Sequence, residues 1–146
     1  VSHTGVRYDR PSNDSHDATG ELGLFIDYSF KGNGLKVDEI LQGGPFDRSS
    51  SALKTGDVII SIDGVDLITG MDYFPLLNHK AGKLVSVKIQ KSNGVTISEN
   101  VVPITRKQYN DLIYQRWMAR NAADVERLSN GRLGYIHLDL MNKPAF

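Results

Sequence analysis

Residues 53–64 read LKTGDVIISIDG, and this stretch decides the fold of the chain. Val58 to Ile62 is a run of mostly β-branched apolar residues, which is typical of a buried β-strand. Asp63-Gly64 follows it directly and is a strong signal for a tight hairpin turn, because both residue types accept positive φ. Gly56 marks a second turn before the strand. The stretch therefore predicts a central strand between two turns in a β-rich domain.

Further strands are predicted on both sides of this stretch. The apolar run 22–26 continues as an alternation to Phe30, and after turn residues at 31–34 a second strand is expected over 35–41, which makes a hairpin. Towards the carboxyl end, residues 84–89 alternate cleanly between apolar and polar side chains. Ser92-Asn93-Gly94 then turns the chain into a last strand over 95–104.

Helices are predicted at three places. A single helical turn is expected over 52–54, after the serine run at 49–51, and a second helix over 72–80, with Asp72 as its N-cap and Pro75 in its first turn. A longer linking helix, broken near Asn121, is expected over 105–130, because Thr105 and Gln108 form a capping-box pattern. The predicted fold class is α+β, with a partly open β-barrel of five or six strands and two helices, followed by the linking helix.

Composition excludes several classes of function. The 146 residues include 17 basic and 17 acidic side chains. With a net charge of zero, the chain has no excess of positive charge to attract nucleic acid or an anionic membrane. No apolar run reaches the ~18 residues that a membrane-spanning helix needs. Without cysteine there is no thiolate nucleophile, and the histidines lack metal-ligand spacing, so we predict no metal and no cofactor. The choice between a cytoplasmic and a periplasmic location stays open.

Residues 20–103 resemble a PDZ domain of the kind found in bacterial and archaeal proteases. The resemblance lies in a Leu-Gly-Leu-Phe loop at 22–25, Gly43-Gly44-Pro45-Phe46, and the Gly-Asp-x-Ile run that begins at Gly56. It implies that peptides or protein C-termini add as a strand to one edge of the sheet. The predicted peptide-binding residues are Leu22, Gly23, Leu24, Phe25 and Ile26 on the strand, and Phe74, Leu77 and Asn78 on the helix.

The flanking residues resemble tricorn-like serine proteases of the C-terminal-processing peptidase clan. Residues 117–141 are similar to the junction that leads into the second catalytic subdomain, and Ser2-His3 to the end of the first. The resemblance implies four segments: the tail of an upstream catalytic subdomain with a linker (1–19), the PDZ domain (20–104), the linking helix (105–130), and the first strand of a truncated downstream catalytic subdomain (131–146). His3 would be the general base of the parent protease. The nucleophilic serine lies outside this sequence, so we expect the fragment alone to be inactive.

Two other interpretations stay open. The chain is a stand-alone PDZ adaptor without a catalytic parent, or it is a structural spacer whose groove is filled by residues 11–21 of the same chain. A serine-centred strand–helix element encoded after Phe146 would favour the protease over the adaptor.

Overall fold

The computed structural model describes residues 18–138. It contains six strands, a one-turn 3₁₀ helix and one α-helix. In chain order these are β1 (Leu24–Ile26), β2 (Leu35–Ile40), β3 (Val58–Ile62), β4 (Val65–Asp66), the 3₁₀ helix (Phe74–Leu77), β5 (Val85–Gln90), β6 (Thr96–Val101) and α1 (Arg106–Ser129). The α+β class is therefore confirmed, although only α1 is a full helix.

The six strands form one open antiparallel sheet. Its order is β1-β2-β3-β5-β6, and β4 pairs with β3 off this path. The β3–β4 hairpin turns at Asp63 (φ 47°) and Gly64 (φ 82°), as the sequence predicts. β5 buries every second side chain, so one face of the sheet covers the core. The core comprises Leu22, Leu24, Val37, Phe46, Leu53, Ile59, Ile62, Leu67, Leu77, Val85, Val87, Ile89 and Val101.

The helical turn predicted over 52–54 is wrong. Main-chain N–H groups of this segment donate to side chains instead of to earlier carbonyls: Ala52 to Glu99 Oε2 (2.9 Å), Leu53 to Ser51 Oγ (3.2 Å) and Lys54 to Asp57 Oδ2 (2.7 Å). Side-chain acceptors of this kind compete with helical hydrogen bonds. The segment therefore forms a loop attached to β6 through Glu99.

The helix predicted over 72–80 is also wrong in type and length, because only Phe74–Leu77 is helical and it is a 3₁₀ turn. Pro75 provides no N–H to a longer helix. His79 then takes a positive φ of 57°, and its N–H donates to Ala18 O at 3.0 Å. The pairing with residues 18–19 therefore takes the chain out of the helix after one turn.

The linking helix has the predicted capping box, with the Gln108 N–H donating to Thr105 Oγ1 at 3.2 Å. The expected break near Asn121 is wrong, because α1 runs unbroken to Ser129 and ends at left-handed Asn130 (φ 53°). Residues 133–138 form no strand within the described part of the chain. Instead, His137 packs edge-on against Trp117 of α1, with ring centroids 4.9 Å apart.

A buried ion pair stabilises the loop before β3. The Asp57 carboxylate is 3% exposed and accepts a hydrogen bond from Lys91 Nζ at 2.5 Å. Lys91 Nζ also donates to Ala52 O at 2.6 Å, so one ammonium group, on the residue that follows β5, is joined to the 52–57 loop. Removing the carboxylate leaves this cation and the Lys54 N–H without their shared acceptor.

We expect Asp57→Ala to lower the free energy of unfolding by about 2–3 kcal/mol, because a buried charged hydrogen-bond network loses its acceptor. Urea denaturation of the parent and the variant measures the difference. Asp66→Ala, on exposed β4, is the matched control and should change stability by less than about 0.5 kcal/mol. An unchanged stability in Asp57→Ala would contradict this role of the pair.

Candidate functional site

A groove lies between β1 and the 3₁₀ helix. One edge of β1 is paired with β2: Leu41 N–H donates to Gly23 O and Asp27 N–H to Lys36 O, both at 2.9 Å. Main-chain groups of a strand point alternately to its two sides. The N–H and C=O groups of Leu24 and Ile26 therefore point away from β2, along the open edge of the sheet. This edge can accept an additional strand.

Gly23 shapes the loop that enters β1. Its φ is 69°, which side-chain-bearing residues rarely adopt, and a Cβ there would lie 2.7 Å from Pro45 Cδ. The same Cβ would lie 3.3 Å from Gly44 Cα. Backbone conformation and the neighbouring chain thus both require glycine at position 23.

A hollow of about 20 Å³ lies at this end of the groove. Six of the eight predicted peptide-binding residues line it: Leu22, Gly23, Leu24, Ile26, Phe74 and Leu77. Glu21, Leu35 and Tyr73 also line it and were missed from sequence. Tyr73 was detectable in principle, since it precedes Phe74 and the two rings stack with centroids 4.5 Å apart. A volume of this size holds about one water molecule, so the hollow is narrow without a ligand.

The other predicted site residues lie elsewhere. Phe25 points to the opposite face of β1, where the Arg116 guanidinium lies 4.5 Å from its ring centroid. Asn78 accepts a hydrogen bond from Thr19 Oγ1 at 2.8 Å, and so joins the 3₁₀ helix to the incoming chain. His3 lies outside the described residues.

Glu21 makes the carboxylate-loop end of the groove acidic. Burial raises the pKa of Glu21, and the nearby charge of Arg106 opposes this shift. Arg106 Nη2 lies 2.7 Å from Glu21 Oε1 but outside hydrogen-bonding geometry, so this buried oxygen is compensated by charge alone. The negative charge of Glu21 also affects Tyr109: burial is the main cause that raises the pKa of its phenol, and the Glu21 charge adds to it. An anion at this end of the groove would therefore meet a carboxylate whose negative charge is partly offset by Arg106.

Two kinds of site are absent from residues 18–138. No helix there has the length and apolar composition to cross a membrane. No three His, Asp or Glu side chains there converge as ligands for a metal ion.

Comparison with known proteins identifies relatives over this region. Tricorn protease of Thermoplasma volcanium is 30% identical over 123 residues, which cover 79% of this chain and 12% of the relative. Tricorn protease homolog 1 of Streptomyces coelicolor is 35% identical over 105 residues (70% and 10%). The tricorn protease homolog of Saccharolobus solfataricus is 31% identical over 151 residues (98% and 13%). The chain thus spans only a small part of each relative.

Solved structures show the same fold. The crystal structure of the tricorn protease matches with a TM-score of 0.65 at 21% identity, over 83% of this chain and 12% of that one. An HtrA-type protease with a decapeptide matches with a TM-score of 0.51 at 21% identity, over 61% and 30%. The family model of the PDZ domain matches residues 12–90, more than half of the sequence. The chain therefore belongs to the PDZ domain family.

Proposed function

We propose that this chain is the peptide-binding PDZ module of a tricorn-like serine endopeptidase, and that it presents or gates peptides for proteolysis. The open outer edge of β1, beside an apolar hollow, is the observation that carries the proposal. The relatives named tricorn protease support a proteolytic parent.

The binding mode follows from β1. A peptide that adds antiparallel to this strand pairs with the main chain of Leu24 and Ile26, and its terminal carboxylate faces the N–H groups around Gly23. Its last side chain enters the hollow between Leu22 and Leu77. Because the hollow is narrow, any side chain larger than a methyl group requires Phe74 to rotate. Phe74 is 41% exposed, so this rotation disturbs little of the core.

The proteolytic chemistry belongs to the proposed parent. His3 would act there as general base for a serine outside this chain, so the chain alone should cleave nothing. A stand-alone adaptor remains an alternative with the same groove. The spacer alternative is favoured by one observation, the small volume of the ligand-free hollow.

We expect isotope-labelled chain to show peptide-induced NMR shifts at residues 22–28 and 71–78. Peptides with amidated C-termini should bind about tenfold more weakly, because charge-assisted hydrogen bonds from the loop N–H groups are lost. Each peptide is titrated in a free-acid and an amidated form of the same sequence, so that only the carboxylate differs. No shifts at millimolar peptide would support the spacer interpretation, and equal affinity of the two forms would contradict a carboxylate-binding loop.

Glu21 gives the binding a pH dependence. Its pKa is already raised by burial, and a peptide carboxylate nearby would raise it further, since like charges favour protonation. Linkage then requires that peptide affinity increase as the pH falls from neutral towards the raised pKa of Glu21, because the acid takes up a proton there while the peptide carboxylate stays ionised. Calorimetric titration at several pH values measures this slope. Glu21→Gln should flatten it, and an affinity that falls over the same range would contradict the placement of the carboxylate.

A further inference from the structure

A second and larger cavity continues the groove beyond the end of β1. Its volume is about 400 Å³, against about 20 Å³ for the hollow beside Gly23. The two spaces share Ile26, Leu35 and Tyr73, so they lie along one continuous path. The large cavity lies between the loop 27–34 and the segment 67–73. A peptide that pairs with β1 and continues past Ile26 would pass over it.

The cavity is lined by large apolar side chains that solvent can reach. Phe30, Ile68, Met71 and Tyr73 contribute to its walls, and Ile68 is 62% exposed. A concave surface of this composition, next to a strand edge that can accept a peptide, is suited to an apolar side chain. The charged residues at its border do not favour one sign, because Asp27 is paired with Lys36 at 3.2 Å and the lining contains both Lys31 and Asp72.

Hydrogen bonds hold the two walls together. The N–H of Thr69 donates to Asn33 Oδ1 and the Thr69 hydroxyl to Gly32 O, both at 3.0 Å. On the side of β1, Lys36 lies over the Phe30 ring, 5.8 Å from its centroid. The walls are thus joined without a ligand, which lowers the entropic cost of binding.

We propose that this cavity receives the side chain of the fifth residue from the end of the bound peptide, and that it selects a large aliphatic or aromatic residue there. The inference rests on the proposed peptide-binding function. In an antiparallel strand with its last residue beside Leu24, the third residue from the end lies opposite Ile26, where β1 ends. The fifth residue then lies beyond the strand, over the cavity between the loop 27–34 and the segment 67–73. These three residues face the same side, since side chains alternate. The fourth faces away.

One contact must change when such a peptide binds. The side chains of Tyr28 and Tyr73 line the cavity from its two sides, and their phenols lie close enough to influence each other. Tyr28 is 78% exposed, so it can turn into solvent when the peptide arrives. The fifth side chain then takes the place beside Tyr73.

The test is a set of free-acid peptides that differ at one position, titrated against the intact chain by calorimetry. Leu→Ala at the fifth position from the end should weaken binding about tenfold, because an aliphatic side chain loses its buried contact. Leu→Ala at the fourth position is the control and should change affinity less than about twofold. In the protein, Ile68→Ala should reduce the preference for leucine at the fifth position. Val95→Ala, at a site in the β5–β6 turn that is 52% exposed, should leave it unchanged.

The outcomes separate the two proposals. Binding with equal affinity for leucine and alanine at the fifth position would overturn the assignment of the cavity, while the peptide-binding function would stand. A loss of affinity that occurs only when the third residue from the end is changed would also overturn the assignment of the cavity to the fifth residue. No binding of any peptide would overturn the proposed function and this inference together.

Discussion

The hydrogen bond from Leu41 N–H to Gly23 O is the constraint on which the candidate site depends. It holds the start of β1 against β2 while Gly23 keeps its left-handed conformation beneath Pro45. With one edge of β1 satisfied in this way, the main-chain groups of Leu24 and Ile26 are directed to the other edge. The same turn brings Leu22 and Leu24 to the face that packs on Leu77. Glycine at one position therefore sets both the free edge and the apolar wall beside it.

Helix α1 supports the opposite face of this strand. Glu39 on β2 accepts hydrogen bonds from Arg116, at 2.5 Å to each carboxylate oxygen, and a third from Arg120 at 2.9 Å. Arg116 also covers the Phe25 ring. No residue of α1 is fully buried, so these charged and cation–π contacts position the helix. The linking helix therefore packs on the face of the β1–β2 pair that carries Phe25, while the outer edge of β1 stays available to a peptide.

Local signals predicted most of the fold. The strands around residues 53–64, the Asp63-Gly64 turn and the capping box at Thr105 each depend on residues adjacent in sequence, and each is present. The two short helices were mispredicted because their backbone groups bind distant partners. Glu99 lies 47 residues from Ala52, and residues 18–19 meet the chain at Asn78 and His79 across about sixty positions. The spacing of apolar residues within 52–54 or 72–80 does not indicate such long-range contacts.

The candidate site divides in the same way. Leu22, Leu24 and Ile26 line the hollow, as strand alternation and the glycine loop indicate, and their part in peptide binding stays a prediction. Asn78 was included on helical spacing, and it lies at the end of the single 3₁₀ turn, where it is bonded to Thr19. Glu21 is positioned by its pairing with Ile104, and the large cavity depends on how two loops meet through Thr69 and Asn33. Sequence spacing reveals neither of these long-range contacts.

Strand addition to β1 can be measured by amide hydrogen exchange of Leu24 and Ile26, read by NMR with and without a saturating peptide. We expect both amides to exchange readily in the free chain and to become protected when a peptide strand pairs with them, while the Asp27 amide, already bonded to Lys36, is protected in both states. Exchange at Leu24 and Ile26 that is unchanged by bound peptide would contradict strand addition at this edge.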